Sequence, residues 1–312
     1  MRRSLSSIQY SLLDQATAGE IKLIRELKAN CRKLPVREIP GRSQAEDTWI
    51  RVINRLRYLI DTENPVRFLR WGILGTMFVG NPDYIVHELD YLMNNPDWED
   101  RWVNAIEESR IGDPAPFPSY TRSSGNLIHH AYHLSRFEET TAKRVDDLDL
   151  IFEFGGGYGS MCRLIHRLGF AGKYVIIDWQ EFSYLQSFFL KSIGLPVCSI
   201  GSFKTKGRGI ATVSDVNTLR DVLSNAAPQL STSLLIGTWS ISEAPIASRT
   251  ELFDMVSAFN YFLIAYQDKF GEVDNRQFFS SLKCKWRDVN WHEWEIEHIP
   301  GNRYLIGERT AT

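Results

Sequence analysis

The sequence lacks the marks of several protein classes. Cysteine is scarce, with no Cys-x-x-Cys pair and no paired histidine spacing among the four residues Cys31, Cys162, Cys198 and Cys284. This excludes a disulfide framework and a structural zinc site, and it fits a reducing compartment. No run approaches the ~20 apolar residues of a membrane helix, and the basic residues near the N-terminus precede no signal-length apolar run. We therefore expect a cytoplasmic protein without a membrane partner.

An excess of either charge is also lacking. The 312 residues include 36 basic and 38 acidic side chains, for a net charge of −2. A nucleic-acid partner is therefore not expected, because such proteins carry a clustered basic surface. With 43% hydrophobic residues, the chain is long enough for one α/β domain and a smaller accessory domain.

A glycine-rich stretch at residues 150–161 organises the rest of the chain. A short apolar run ends at Glu153 and Phe154, four glycines follow within five positions, and an apolar-periodic helix begins near Met161. A second apolar run, at 174–177, ends at Asp178. The pattern predicts a β-α-β unit, whose two strand tips meet at the ligand-binding edge of an open α/β sheet.

The glycines and Asp178 predict a nucleoside ligand. A chain that turns from strand to helix within a few residues needs positive φ angles, and a ligand on the backbone leaves no room for a Cβ. Gly155, Gly157 and Gly159 meet that need, and Asp178 stands where a carboxylate can accept both ribose hydroxyl hydrogens.

The spacing distinguishes between nucleoside ligands. A dinucleotide fingerprint requires G-x-G-x-x-G, whereas the third position here is Ser160 and the glycines run G-x-G-x-G. The negative charge of Glu153 would repel a pyrophosphate and attract an ammonium group. S-adenosylmethionine has an ammonium, a ribose and no phosphate. A purely structural turn and a nicotinamide or flavin site are the alternatives.

The run from Glu153 to Gly159, with Asp178 after the next strand, resembles the first two motifs of class I S-adenosylmethionine-dependent methyltransferases. The segments His129–Leu134 and Trp239–Glu243 extend the likeness to the sugar O-methyltransferase family, over about residues 125–308. The resemblance implies a Rossmann-like α/β fold with a seven-stranded, mostly parallel sheet that ends in an antiparallel hairpin. It also implies S-adenosylmethionine as cofactor and S-adenosylhomocysteine (SAH) as product. The implied cofactor-binding residues are Glu153, Gly155, Gly156, Gly157, Tyr158, Gly159, Asp178, Trp179, Ser202, Phe203, Thr238 and Trp239.

The remaining strands follow from short apolar runs. We predict a third strand at 196–200 with Ser202 or Phe203 at its tip, and a helix from Val213 to Leu223. A fourth strand at 233–240 and a fifth at 261–266 follow, and the hairpin occupies 294–299 and 304–307. Thr238, Trp239, Ser242 and Glu243 end the fourth strand and are candidates to contact the acceptor. Glu243 and Ser242 are also ordinary helix-start residues, so a capping role is an alternative.

The N-terminal third is predicted to be helical. Apolar residues recur at helical spacing through residues 17–110, and three prolines within 112–119 then interrupt any helix. We place an all-helical domain at 1–118 and the S-adenosylmethionine-binding domain at 119–312. The helical domain would cover the acceptor, form a homodimer, or do both.

Histidines provide most of the candidate bases. A helix at 126–141 would place His129, Tyr132, His133 and Arg136 on one face, with His130 about 100° away. Because a sugar hydroxyl is a poor nucleophile, a general base is expected, and the candidates are His298, His130, His133 and Glu243. No metal site is predicted. Zinc on His129 and His133 lacks further ligands, and Mg²⁺ on Asp268 and Asp274 lacks a convincing ligand spacing.

These patterns predict an O-methyltransferase that acts on a small-molecule acceptor, a sugar or a glycosylated or other secondary metabolite of natural-product biosynthesis. One alternative is an N-methyltransferase that acts on a peptide or amine. Another is a catalytically inactive methyltransferase fold that serves as a partner protein.

Overall fold

The structure, a computed structural model, describes residues 16–39, 41, 44–75, 82–226 and 232–310. The basic N-terminal residues discussed above lie outside these ranges. A seven-stranded sheet forms the centre of the molecule. Its strands are β1 (Leu150–Phe154), β2 (Lys173–Ile177), β3 (Gly209–Val213), β4 (Ser233–Thr238), β5 (Tyr261–Gln267), β8 (Val289–Glu295) and β9 (Asn302–Arg309). A separate two-stranded ribbon contains β6 (Lys269–Phe270) and β7 (Val273–Asp274).

The strand order is β3-β2-β1-β4-β5-β9-β8. The first five strands run parallel, whereas β9 pairs antiparallel with both β5 and β8. The predicted Rossmann-like sheet with its terminal antiparallel hairpin is therefore confirmed. The order reverses between β1 and β4, and open α/β sheets bind ligands beyond the carboxyl ends of the strands at such a point.

Helices cover both faces of the sheet. Those of the N-terminal part are α1 (Ala18–Arg32), α2 (Gln44–Thr62), α3 (Gly72–Gly75), α4 (Pro82–Met93) and α5 (Val103–Ala105), with a 3₁₀ helix at Pro65–Arg70 and a π-helix at Trp98–Trp102. The others are α6 (Gly125–Thr141), α7 (Ser160–Arg167), α8 (Gln180–Ser192), α9 (Ile200–Thr205), α10 (Val216–Ala226), α11 (Ser240–Glu243), α12 (Ile246–Met255) and α13 (Asn275–Lys285), with a 3₁₀ helix at Val145–Asp147. None of the helices in the described ranges is long and apolar enough to cross a membrane.

Two hydrophobic clusters lie on opposite faces of the sheet. Because side chains alternate along a strand, Ile151 of β1 packs into one cluster and Phe152 into the other. The Ile151 cluster also contains Ile53 of α2 and Leu89 of α4, so the N-terminal helices share a core with the sheet. The boundary between residues 118 and 119 stays a prediction, because this apolar cluster is continuous across it.

The third strand was predicted at the wrong place. Residues 196–200 contribute only an isolated bridge between Val197 and Ile210, and β3 lies at Gly209–Val213. Ser199 caps α9 by accepting a hydrogen bond from the backbone of Ser202 at 3.3 Å, so the chain turns into a helix where we predicted a strand tip. Helix α10 begins at Val216 rather than Val213, behind Asp215, which accepts a bond from the Thr218 backbone at 2.8 Å.

This shift corrects the placement of Ser202 and Phe203. Both residues lie in α9 and not at the tip of a strand. Phe203 is fully buried in the apolar cluster on the Phe152 face. The strand-tip reasoning that made these two residues cofactor ligands is therefore wrong.

The hairpin is longer than predicted. Strand β8 starts at Val289, which pairs with Arg309, and ends at Glu295, which pairs with Arg303. Residues 289–293, which the prediction left out, belong to this strand, whereas residues 296–299 do not. His298 consequently lies in the turn between the strands, next to Ile299.

Candidate active site

The glycine loop after β1 is shaped by close approaches. At Gly155, φ is +73° and a Cβ would lie 2.4 Å from the Cβ of Ser240. At Gly156, a Cβ would lie 2.6 Å from Cγ2 of Ile176. At Gly157, φ is +56° but no atom lies within 4 Å of the position of the missing Cβ. The loop is thus packed against protein at two glycines and open at the third.

Asp178, after β2, fixes this loop. Its Oδ2 accepts a hydrogen bond from the backbone of Gly157 at 2.9 Å and one from Gln186 Nε2 at 3.3 Å. Its Oδ1 accepts one from the backbone of Trp179 at 2.8 Å. Burial raises the pKa of Asp178 to about 7, although these donors act in the opposite direction. Asp178 borders the open space at Gly157 and does not line the main pocket.

Glu153 lies beneath the loop at the end of β1. The side chain is buried, and its Oε2 accepts a hydrogen bond from the Tyr174 hydroxyl at 2.9 Å. A Cβ on Gly156 would lie 2.9 Å from the same oxygen. Burial raises the pKa of Glu153 to about 8. A carboxylate in this position would stabilise a cation bound at the loop.

A pocket of about 650 Å³ opens beside the loop. It brings together the predicted residues Glu153, Gly155, Gly156, Gly157, Tyr158, Thr238, Trp239, His130 and Glu243. Thr48, Trp49 and Val52 of α2 and Tyr84 of α4 close another side. The helical part of the chain therefore contributes a wall of the pocket, and its predicted roles in covering an acceptor or forming a homodimer stay predictions.

Other predicted residues lie around this pocket and do not line it. Gly159 begins α7 and faces Leu190. Trp179 lies under the guanidinium of Arg37, 5.0 Å from the ring centroid. His133 and His298 are placed behind the wall of the pocket, in the histidine cluster described below.

Trp239 has an unusual backbone conformation. Its φ is +64°, a region that bulky residues rarely occupy and that is frequent at functional sites. The backbone N–H donates to Ala265 O at 2.6 Å, and the indole Nε1 donates to Asn302 Oδ1 at 2.6 Å. The ring stacks on His129 with 5.3 Å between centroids and 24° between planes. These contacts hold Trp239 as a fixed wall of the pocket.

The loop that carries Glu243 is held by a buried arginine. Arg249 donates to Ala244 O at 2.7 Å, to Asn275 Oδ1 at 2.6 Å and to Ser242 O. Glu243 lines the pocket, and burial raises its pKa. Helix α12 starts without a side-chain cap, so the alternative capping role of Glu243 finds no support.

A cluster of buried polar residues lies behind the pocket, and its centre is Glu88 of α4. Both carboxylate oxygens lie within hydrogen-bond distance of His129 Nδ1, at 2.7 and 2.8 Å, and Oε1 lies 2.9 Å from His298 Nε2. Burial raises the pKa of Glu88, but the two histidines outweigh it and leave the pKa below its ordinary value. His133 contacts the Tyr304 hydroxyl through Nδ1.

Glu88 was not among the predicted site residues. It falls between Ile85, Leu89 and Leu92, the buried apolar positions of α4. These positions follow the i, i+3, i+4, i+7 spacing of a core-facing stripe. A carboxylate in such a stripe was the signal that could have identified it, since buried charges are paired.

The histidines differ in their surroundings. His129 and His130 line the pocket, whereas His133 and His298 do not. Burial lowers the pKa of His130 to about 3 and lowers that of His133 well below its ordinary value. Of the predicted bases, only His130 and Glu243 line the pocket.

Metal coordination was an alternative for several of these residues. Within the described ranges, no group of three or more His, Cys, Asp or Glu side chains is arranged to hold a metal ion. Asp268 pairs with Arg303 at 2.8 Å, and Asp274 caps α13 by accepting from the Gln277 backbone at 3.0 Å.

No family model and no curated protein sequence matches the chain. Solved structures with some likeness include the methyltransferase domain of bacterial CtHen1-C, with 10% identity, a TM-score of 0.41, and coverage of 60% of this chain and 99% of that one. Precorrin-6y C5,15-methyltransferase from Geobacter metallireducens has 12% identity, a TM-score of 0.34, and coverage of 60% and 89%. The N-terminal domain of human METTL16 in complex with SAH has 8% identity, a TM-score of 0.38, and coverage of 60% and 70%. Similarities at this level do not assign an activity to the chain.

Proposed function

We propose that this protein is an S-adenosylmethionine-dependent methyltransferase that methylates a hydroxyl group of a sugar or of a glycosylated or other secondary metabolite. The main support is the open space at Gly157, flanked by carboxylates at the ends of two adjacent parallel strands. S-adenosylmethionine supplies a methyl group activated by a sulfonium.

The residues at the loop match the groups of this cofactor. Gly157 leaves room for a ligand that lies directly on the backbone. Asp178 stands at the strand tip where a carboxylate binds ribose hydroxyls. Glu153 lies under the loop, where a bound ammonium would stabilise its ionised form and a pyrophosphate would oppose it. These features support S-adenosylmethionine over a nicotinamide dinucleotide.

The lining of the acceptor side supports a neutral, hydroxylated substrate. The wall combines aromatic surface from Trp49, Tyr84 and Trp239 with the polar groups of His130 and Glu243. Aromatic faces pack against the apolar face of a sugar or polycyclic metabolite, and a few placed polar groups fix its orientation. Methyl transfer needs alignment and exclusion of water, which a pocket covered by α2 and α4 provides.

The cofactor assignment is tested by calorimetric titration of the full chain with SAH, NAD and NADPH. We expect SAH alone to bind. Asp178→Ala should weaken SAH binding by at least about tenfold, because a charged hydrogen-bond acceptor is lost. Asp254→Ala is the matched control, since that carboxylate is exposed and pairs only with Lys285 among the ion pairs of the described residues.

Each other outcome has a defined meaning. Binding of NAD or NADPH in place of SAH would overturn the proposal. No binding of any of the three would favour the inactive partner protein. If SAH binds, a screen with tritiated methyl donor should label glycosides and hydroxylated metabolites, whereas labelling of amines or peptides alone would favour the N-methyltransferase.

A further inference from the structure

His129 and Glu88 together have the arrangement of a general base and its orienting carboxylate. His129 lies on α6 and lines the pocket, with 4% of its side chain exposed. Its Nδ1 faces both oxygens of Glu88, which is itself fully buried. Its other ring nitrogen, Nε2, is buried without a hydrogen-bond partner among the described residues.

The hydrogen bonds select one tautomer. An ionised carboxylate only accepts, so the nitrogen that faces Glu88 must carry the proton. In the neutral imidazole, Nε2 then keeps its lone pair. The ring cannot easily turn, because it stacks on Trp239, whose backbone and indole are both hydrogen-bonded.

We propose that His129 is the general base of the methyl transfer and that Glu88, held in turn by His298, is its positioning residue. This inference rests on the proposed function. The acceptor O–H bond breaks and its proton forms an N–H bond at Nε2, while the positive charge of the imidazolium is stabilised by Glu88. The acceptor oxygen uses the released electron pair to bond the methyl carbon, and the electrons of the broken carbon–sulfur bond remain on sulfur.

The other pocket histidine is a weaker base. His130 has no carboxylate within hydrogen-bond distance in the described part of the chain, and a pKa of about 3 gives it little driving force to take a proton near neutral pH. His298 shares Glu88 but lies outside the pocket. Its Nε2 contacts Oε1 of Glu88 at 2.9 Å and so restrains the carboxylate.

The first test requires no acceptor. Nitrogen-15 NMR of the histidine side chains, assigned with His129→Gln, should show a proton on Nδ1 and none on Nε2 in the neutral imidazole of His129. Glu88→Gln should shift this signal toward the other tautomer, because the amide can also donate. A proton on Nε2 of the wild-type protein would overturn the inference.

The second test uses tritiated S-adenosylmethionine with the glycosides and hydroxylated metabolites of the screen. His129→Gln should lower kcat by about 100-fold or more, the usual contribution of a general base. Glu88→Gln should lower kcat by about tenfold with KM unchanged and should change the pH profile. His166→Gln and Glu138→Gln are the matched controls, since both residues are partly buried, hydrogen-bonded and outside the pocket.

SAH titration separates the two proposals. Variants that bind SAH normally and lose kcat support the inference, whereas His129→Gln with unchanged kcat overturns it. If the wild-type protein does not bind SAH, the proposed function fails, and the tautomer measurement still decides whether Glu88 orients His129. If Glu88→Gln does not fold, the tautomer is still measured on the wild-type protein with His129→Gln for assignment, and kcat is still compared between the wild type and His129→Gln.

Discussion

The two ends of the pocket bury carboxylates in different ways. At the glycine loop, Tyr174 is the one described residue whose side chain bonds Glu153, through a neutral hydroxyl, and burial raises the pKa of Glu153 to about 8. At the histidine cluster, Glu88 is at least as deeply buried, yet contacts with His129 and His298 leave its pKa below the ordinary value. Two similarly buried carboxylates therefore have pKa values shifted in opposite directions. Among the described residues, Glu88 has partners that can carry positive charge and Glu153 does not.

The difference suggests different tasks. A carboxylate without a cationic partner favours the binding of a cation from outside, which suits the cofactor position that we propose at the glycine loop. A carboxylate that already has its partners fixes those partners in place, which suits the role that we propose for Glu88 beside His129. Four predictions test this contrast.

The largest effect is expected at Glu88. Glu88→Ala leaves two imidazoles and a cavity at a fully buried position, and we expect the free energy of unfolding to fall by about 3 kcal/mol. Urea unfolding measures the change. Glu251→Ala, which removes an exposed carboxylate on α12, is the control. If Glu88→Ala lowered the free energy of unfolding no more than Glu251→Ala does, the contacts of Glu88 would not stabilise the protein, and the contrast with Glu153 would be wrong.

The second prediction compares two glycines of the loop. Gly155→Ala should destabilise the protein by about 2 kcal/mol, because the new Cβ would meet Ser240 in a left-handed conformation. Gly157→Ala should cost about 1 kcal/mol, since only the conformation is unfavourable. SAH titration should nevertheless show a clear loss of affinity for Gly157→Ala. Normal SAH binding by that variant would mean that the open space is not a ligand position.

The third prediction concerns pH. The pKa of Glu153 is raised from an ordinary value of 4.5 to about 8, so the folded state holds a proton that the unfolded state has released in this range. The resulting stability is complete below pH 4.5 and is lost as the pH rises toward 8, with a slope of at most about 1.4 kcal/mol per unit.

Glu153→Gln tests this directly. The variant should come close to the wild type in urea unfolding at pH 5 and should become progressively more stable than the wild type as the pH rises to 8. Its affinity for SAH at pH 8 should be lower, because the charge that attracts the ammonium is gone. If the free energy of unfolding of the two proteins depended on pH in the same way, burial would not raise the pKa of Glu153, and the prediction would be wrong.

The smallest effect is expected at the surface. Arg32 and Asp61 form an exposed pair, with 63% and 43% of their side chains accessible. Arg32→Ala should change the free energy of unfolding by less than about 0.5 kcal/mol. The changes in the free energy of unfolding at Glu88 and Glu153 should exceed this value, which is the effect of an ordinary surface substitution.

The sheet and the glycine loop with its two carboxylates could be predicted because their residues are close in the sequence. Glu153, the glycines and Asp178 occupy one β-α-β unit, and the glycine spacing depends on backbone conformation, which is a local property. The third strand could not be placed correctly in the same way. The segments at 196–200 and 209–213 are both short and apolar, and pairing with β2 selects the second.

The histidine cluster could not be predicted as a unit. His129 and His133 were recognised on one helical face, but their partners come from elsewhere: Glu88 from α4, Trp239 from the end of β4 and Tyr304 from β9. No local pattern joins these segments. Only the carboxylate within the apolar stripe of α4 indicated that a polar partner had to be buried against it.

The separation of these partners along the chain also has a consequence for biosynthesis. Glu88 lies 41 residues before His129 and 210 residues before His298. A ribosome therefore makes the carboxylate early, while the imidazole that completes its contacts emerges only after the last helix and β8. Until the hairpin forms, His129 can contact Glu88 but His298 cannot. The contact between His298 and Glu88 is thus one that a nascent chain can form only late in its synthesis.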